Sequence, residues 1–272
     1  MNTRILYSML YDMLEQKHTA YKTNDGLAIL TPKAPLWIWL AQNLSEGDAR
    51  LFFRSFLHQH VDILTLEPLV GLVADKKTAM VCADMYSKKT NVVFDSQDLI
   101  AYYLPNGKAW NGNLRNTATP CGELRPATPG EWLLIREWIQ SFYLETLNAA
   151  LPQTSVAFRK YATGGTSQPD NPSANARLFI WWDSQPTAMG MIIGEKGDTC
   201  RLNLIYTPPH LRGKGYGSAL VSALAKQIHD SNRIPMLYTS GENIAANKLY
   251  QSLNFQEAGR LTEVRFSKDC EM

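Results

Sequence analysis

The chain has 272 residues, 45% of them hydrophobic, and sets 27 Lys and Arg against 25 Asp and Glu for a formal charge of +2. That length accommodates two domains of ordinary size, each with its own core. The near-neutral balance supplies no field that would make nucleic acid or an anionic membrane the main partner, while a small charged ligand stays compatible with it.

The first residues, "MNTRILYSMLYDMLEQKH", space their apolar side chains as an amphipathic helix broken by Asp12 and Glu15, without the apolar core of a signal peptide. No stretch reaches the roughly 18 apolar residues of a membrane span. Cys82, Cys121, Cys200 and Cys270 lack any metal-site spacing and read as reduced thiols, so the expectation is a soluble cytoplasmic protein with no metal. Next come a short strand at "LAIL", the apolar run "LWIWLA", and a helix "SEGDARLFFRSFLHQH" with Ser45 as N-cap and Asp48 in its first turn. "LVGLVA", the helical "KKTAMVCADMYSKK" and the strand "LIAYYLP" complete an α/β domain over residues 1–110. His58 and His60 alternate on a helix end and share no face for a metal.

"NGKAWNGNLRNTATPCG" has no apolar period and predicts a linker at 111–122. The second domain, 123–268, opens with a short strand and a Thr128–Pro129 helix start. Trp132, Ile135, Trp138, Ile139 and Phe142 form the buried side of that helix. "TGGTSQPDNPSANA" predicts a flexible loop or a helix break; "RLFIWW" and "TAMGMIIG" predict a hairpin turning over "DSQP", with Trp181 and Trp182 on opposite faces. "TCRLNLIYT" is the next strand. The segment "TPPHLRGKGYGSALVSALAKQ" follows, then the strand "PMLYTS", the helix "NIAANKLYQSLNF" and the strand "RLTEVRF".

The chemistry concentrates in residues 212–218. A strand ends, glycines that tolerate positive φ turn the chain, and a helix begins whose first NH groups have no partner within it. Bare NH groups at the positive end of a helix dipole hold phosphate oxygens, with charge added by Arg212 and Lys214 and a hydroxyl by Ser218. A dinucleotide fingerprint begun at Gly213 would need glycine where Ser218 stands, and the Walker spacing is absent, so neither nicotinamide binding nor phosphoryl transfer is favoured. The expected ligand is a phosphate or diphosphate. His210, just before the loop, is either exposed or a phosphate contact.

The R-x-x-G-x-G pattern after "LIYTPP" resembles the acyl-CoA motif of the GNAT superfamily of N-acyltransferases, and the element order over roughly 122–268 is similar to that fold. The resemblance implies a mixed, mostly antiparallel α/β (α+β) sheet flanked by helices, preceded here by a smaller α/β domain. It implies acetyl-CoA as co-substrate, its diphosphate on Arg212, Gly213, Lys214, Gly215, Tyr216, Gly217 and Ser218. It also implies a bulged strand whose free main chain at Ile205, Tyr206 and Thr207 pairs with the pantetheine arm. "NIAANKLYQSLNF" resembles the family's N-x-x-A-x-x-x-Y-x-x-x-G-F helix, with Asn254 in place of the glycine. Asn243, Asn247 and Tyr250 share a face of it, the asparagines toward the cofactor and Tyr250 near its sulfur as proton or hydrogen-bond donor.

Many relatives carry a carboxylate base on the strand before the loop. Here that strand offers Arg201 and Asn203, which leaves Glu145, or water held by Asn203, as candidates and the base unassigned. The implied reaction is acetyl transfer to an amine of a small or amino-acid-like acceptor by direct attack. Protein lysines or N-termini, a non-catalytic acyl-CoA sensor and a scaffold are the alternatives. The first domain, with one glycine in "VGLVADKK", has no such cofactor motif and is degenerate if it is GNAT-like at all; the sequence leaves the oligomeric state open.

Overall fold

A computed structural model describes residues 6–7, 10, 19–105, 120–147, 177–194 and 198–268. Most of the expected opening helix, most of the linker and the loop at 163–176 lie outside them. The chain divides into two compact units, Met1–Ala101 with Tyr238–Ile244 and Glu257–Met272, and Tyr102–Leu237 with Ala245–Gln256. This division does not follow a single cut at 111–122. Among the described residues no helix is long and apolar enough to cross a membrane.

The first unit contains β1 (Thr19–Lys22), β2 (Gly26–Leu30), β3 (Leu36–Leu40), α1 (Glu46–Gln59), α2 (Val61–Leu66), β4 (Gly71–Ala74), α3 (Lys76–Thr90) and most of β5 (Val92–Tyr103). The Ser45 hydroxyl accepts from the Asp48 NH at 3.2 Å, and the Asp48 carboxylate accepts from the Ser45 NH at 2.8 Å. This capping box satisfies two orphan donors and fixes the start of α1. Asp75 caps α3 by accepting from the Thr78 NH at 3.1 Å. Asn91, at φ 53, ends α3 in the left-handed region and releases the chain into β5, which starts seven residues before the apolar run that marks it in sequence. His60 is a core residue: its Nδ1 lies 2.9 Å from the Phe56 carbonyl and its ring stacks on Phe56.

The strand order in this unit is β1-β2-β3-β4-β11-β5, where β11 (Gln256–Lys268) returns from the far end of the chain. It pairs antiparallel with β4, Thr262 opposite Ala74 and Val264 opposite Leu72, and Val264 is wholly buried in the unit's core. A linear boundary in the linker misses this pairing, because strand partners far apart in sequence leave no local signal.

The second unit holds β6 (Glu123–Pro126), α4 (Trp132–Leu147), β7 (Arg177–Asp183), β8 (Gln185–Ile193), β9 (Thr199–Tyr206), α5 (Tyr216–Asp230), the start of β10 (Ile234–Ser240) and most of α6 (Ile244–Ser252). Its order is β10-β9-β8-β7-β6, antiparallel except for the parallel β9/β10 pair. Ile135, Trp138 and Ile139 of α4 are buried against Ile180, Met189, Leu204 and Tyr206, with Trp132 and Phe142 at the margin. The helix start has a capping box between Thr128 and Glu131, and Glu131 also takes both ends of Arg125 at 2.7 and 3.0 Å. The hairpin turns on Ser184 alone, at φ 57, tighter than "DSQP" leads one to expect. Trp181 is buried, while Trp182 carries the Arg125 guanidinium 4.3 Å from its ring centroid.

If β11 belongs to the first core, Val264→Ala should lower stability by about 1–3 kcal/mol through the cavity it opens. Chemical denaturation followed by tryptophan fluorescence checks this; an unchanged midpoint would contradict the pairing.

Candidate functional site

β9 alternates half-buried and buried residues from Thr199 to Tyr206, as a strand with one face on a core should. Its register with β8 slips near the end. Ile193, Ile192 and Met191 stand opposite Arg201, Leu202 and Asn203, but Met189 stands opposite Tyr206, so Leu204 and Ile205 together face Gly190. The extra residue is a β-bulge, with Leu204 at φ 51. A leucine in the left-handed region is strained, and the Asn203 side chain offsets part of that strain by accepting from the Leu204 NH at 2.8 Å.

On its other edge β9 pairs with β10 only from Thr199↔Ile234 to Arg201↔Met236. Among the described residues, β9 beyond Arg201 has no register partner on β10. Ile205 and Tyr206 stand on this part of β9, which runs on to Thr207.

After Pro208 a single 3-10 turn, Pro209–Leu211, leads into the glycine loop. His210 is exposed. Gly213 and Gly215 have φ of 78° and 86°, and Gly215 is the N-cap of α5, with no side chain capping the helix. The first helical bond runs from the Ala219 NH to the Gly215 carbonyl at 3.0 Å. The NH groups of Tyr216, Gly217 and Ser218 therefore lack partners within α5, unlike the capped starts of α1 and α3. A side chain on Gly213 would meet nothing within 4 Å, so the loop is open on that side; one on Gly217 would sit 3.4 Å from the Thr207 hydroxyl. That contact brings Thr207 against the helix start, a role for its side chain that sequence did not reveal.

Two side chains behave differently from expectation. The Arg212 guanidinium is not a free charge beside the loop: its Nε donates to the Thr207 carbonyl at 2.8 Å and its Nη2 to both Glu145 oxygens at 2.9 and 2.6 Å. Glu145 also accepts from the Tyr206 hydroxyl at 3.4 Å, so its carboxylate serves as the partner of Arg212. Both members are about half exposed, where such a pair contributes modestly and an incoming anion can compete for it. The Tyr216 hydroxyl donates to Asp183 at 2.8 Å, and that bond, with burial and the Asp183 charge, raises its pKa. Tyr216 thus faces the end of β7 with its side chain and the loop with its NH. Lys214 is exposed, and Ser218 is half-buried in the first turn of α5.

On α6, Asn247 is half-buried and Tyr250 is buried, its ring tilted against Tyr102 and Phe255 with centroids 6.0 and 5.9 Å away. Burial pushes the Tyr250 phenol well above its ordinary value near 10. Asn243 stands just before the helix and is exposed. Asn254, at φ 64, takes the left-handed helix end in place of glycine, and the Phe255 NH closes on the Tyr250 carbonyl at 3.0 Å. Tyr102, whose hydroxyl accepts from Gln251 at 3.2 Å, went unnoticed in sequence because it stands 148 residues from Tyr250 and carries no motif.

Residues 186–266 match the family model described as FR47-like protein. A GCN5-related N-acetyltransferase from Kribbella flavida is 11% identical, with a TM-score of 0.61, 97% of this chain and 95% of that one being covered. The fold is that of the GNAT superfamily. A GNAT acetyltransferase from Colwellia psychrerythraea is 15% identical over 92% of this chain and 85% of its own, with a TM-score of 0.53. A functionally unknown conserved protein from Staphylococcus epidermidis is 10% identical over 94% and 97%, at 0.59. No curated protein matches in sequence. The mostly antiparallel sheet flanked by helices is the GNAT arrangement, and the bulged strand and glycine loop lie inside the matched segment.

The left-handed turn at the cradle predicts a contrast. Gly215→Ala should cost about 1–2 kcal/mol of stability, from its φ and from a Cβ 3.3 Å from Pro120. Gly213→Asn, in open space and with a residue that accepts positive φ, should cost a fraction of that. Thermal unfolding of both variants checks the difference, and equal losses would contradict the turn geometry.

Proposed function

We propose that the second unit transfers an acyl group, acetyl first of all, from acyl-coenzyme A to the amine of a small, amino-acid-like acceptor. The observation that carries this reading is the uncapped N-terminus of α5, presented by a left-handed glycine turn a few residues after β9, whose register with β10 ends at Arg201. Such a cradle suits a diphosphate, and the unpartnered edge of β9 suits the amide-bearing pantetheine arm, which would pair with Ile205 to Thr207 as a further strand does. Arg212 would exchange Glu145 for a phosphate oxygen as the coenzyme settles. We take the setting to be the cytoplasm, in keeping with the free thiols of Cys82, Cys121 and Cys200.

Attack of the amine on the thioester builds negative charge on the carbonyl oxygen and then on the departing sulfur. Main-chain NH groups beside the Leu204 bulge are the donors for the first. Tyr250 is the donor for the second. Its raised pKa keeps the proton on the phenol across the neutral range and makes full transfer to a thiolate, whose ordinary value is about 8.5, more uphill than for an exposed tyrosine. Tyr250 then acts by hydrogen bonding to the sulfur more than by giving up its proton.

A second reading, an acyl-CoA sensor without turnover, is favoured by one observation: β9 presents Arg201 and Asn203 where a carboxylate base would stand. Tyr250→Phe separates the two, since it keeps the ring and removes the hydroxyl. The enzyme reading expects kcat to fall about 10- to 100-fold in a thiol-release assay with acetyl-CoA and an amine panel, with coenzyme A affinity within about twofold. Wild-type protein that binds coenzyme A but releases no thiol with any amine would favour the sensor.

A further inference from the structure

The first unit runs through the same succession as the second. Apart from the short α2, β2, β3, α1, β4 and α3 follow one another as β8, β9, α5, β10 and α6 do. The parallel pair is short in both. β3 meets β4 only at Leu36↔Leu72 and Trp37↔Val73, then continues to Leu40 with no β4 partner in that register. Where these strands part, a cavity of about 280 Å³ opens between the ends of β3 and β4 and the starts of α1 and α3.

This cavity cannot serve as a second diphosphate cradle. The Ser45–Asp48 box occupies the start of α1, and Glu46 and Asp48 place negative charge where an anion would sit. Its size is also wrong for a nucleotide coenzyme: an apolar cavity of about 150 Å³ takes benzene, so this one takes a molecule about twice as large.

The walls carry charges of both signs around an apolar floor. Asp75 spends one bond on the Thr78 NH and keeps acceptor capacity. Burial first, and the Asp75 charge second, push the Tyr7 phenol up while an Asp75 main-chain hydrogen bond pulls it down, which sets that carboxylate beside Tyr7 at the cavity wall. Lys77 donates one of its three protons to the Leu44 carbonyl at 3.0 Å, and Arg260 lines the same space while bound through Nε to Glu257. Trp39 and Tyr7 add aromatic faces. An ammonium suits Asp75 with the Tyr7 ring beside it, and a carboxylate suits Lys77 and Arg260.

We propose that the first unit binds a free α-amino acid in this cavity, its ammonium on Asp75 and its carboxylate toward Lys77 and Arg260. Calorimetric titration of the full chain, without coenzyme, against each standard L-amino acid tests it. At least one should bind saturably, one molecule per chain, and its N-acetyl derivative should bind at least tenfold more weakly. Asp75→Asn, which keeps an N-cap acceptor, and Lys77→Gln, on an exposed side chain, should each cost at least tenfold, while Lys226→Gln, on an exposed side chain of α5 in the second unit, should leave the affinity unchanged. The proposal fails if no amino acid binds at millimolar concentration, or if the one that binds is indifferent to Lys77→Gln. Should Asp75→Asn not fold, Lys77→Gln and the N-acetyl derivative still decide.

Discussion

A strand inside a sheet satisfies its main chain on both edges, and β9 does so only as far as Arg201. Past that point the bulge at Leu204 shifts its register with β8, and its pairing with β10 has already ended. Main-chain groups that leave the β10 ladder need another partner, from elsewhere in the protein, a ligand or water. The glycine loop begins a few residues farther on and adds the unpartnered NH groups of α5. Under the proposed reading, the edge of β9 would take the amides of the coenzyme and the start of α5 its phosphates.

Three of the helix starts show how a cap decides what a helix can hold. Asp48 and Ser45 close α1 upon itself, and Asp75 closes α3. At α5 the N-cap is a glycine with no side chain to offer. Formal charge is secondary here, since Arg212 is engaged by Glu145 and the Thr207 carbonyl, and Lys214 extends from the exposed turn. Recognition would rest first on oriented peptide dipoles, which need no side-chain ordering when a ligand arrives.

Much of this was legible in sequence because the signals are local. The Ser45 cap, the Thr128–Pro129 helix start, the buried stripe of α4 and the glycine turn are each set by residues within a few positions of one another. Asn254 was readable as a left-handed helix end for the same reason. The bulge was legible only through family resemblance, because leucine has no preference for positive φ and nothing in "RLNLIYT" marks Leu204. Glu145 gave no sign that it would hold Arg212, 67 residues away. The pairing of β11 with β4 is equally non-local, and so the compact units depart from a boundary drawn at the linker.

The most direct test of this account is a crystal structure of the protein with coenzyme A bound. The diphosphate should lie within hydrogen-bond distance of the main-chain NH groups between Gly213 and Ser218, with the pantetheine arm along β9 beyond Leu204. A coenzyme seated in another crevice, with those NH groups facing water, would contradict it.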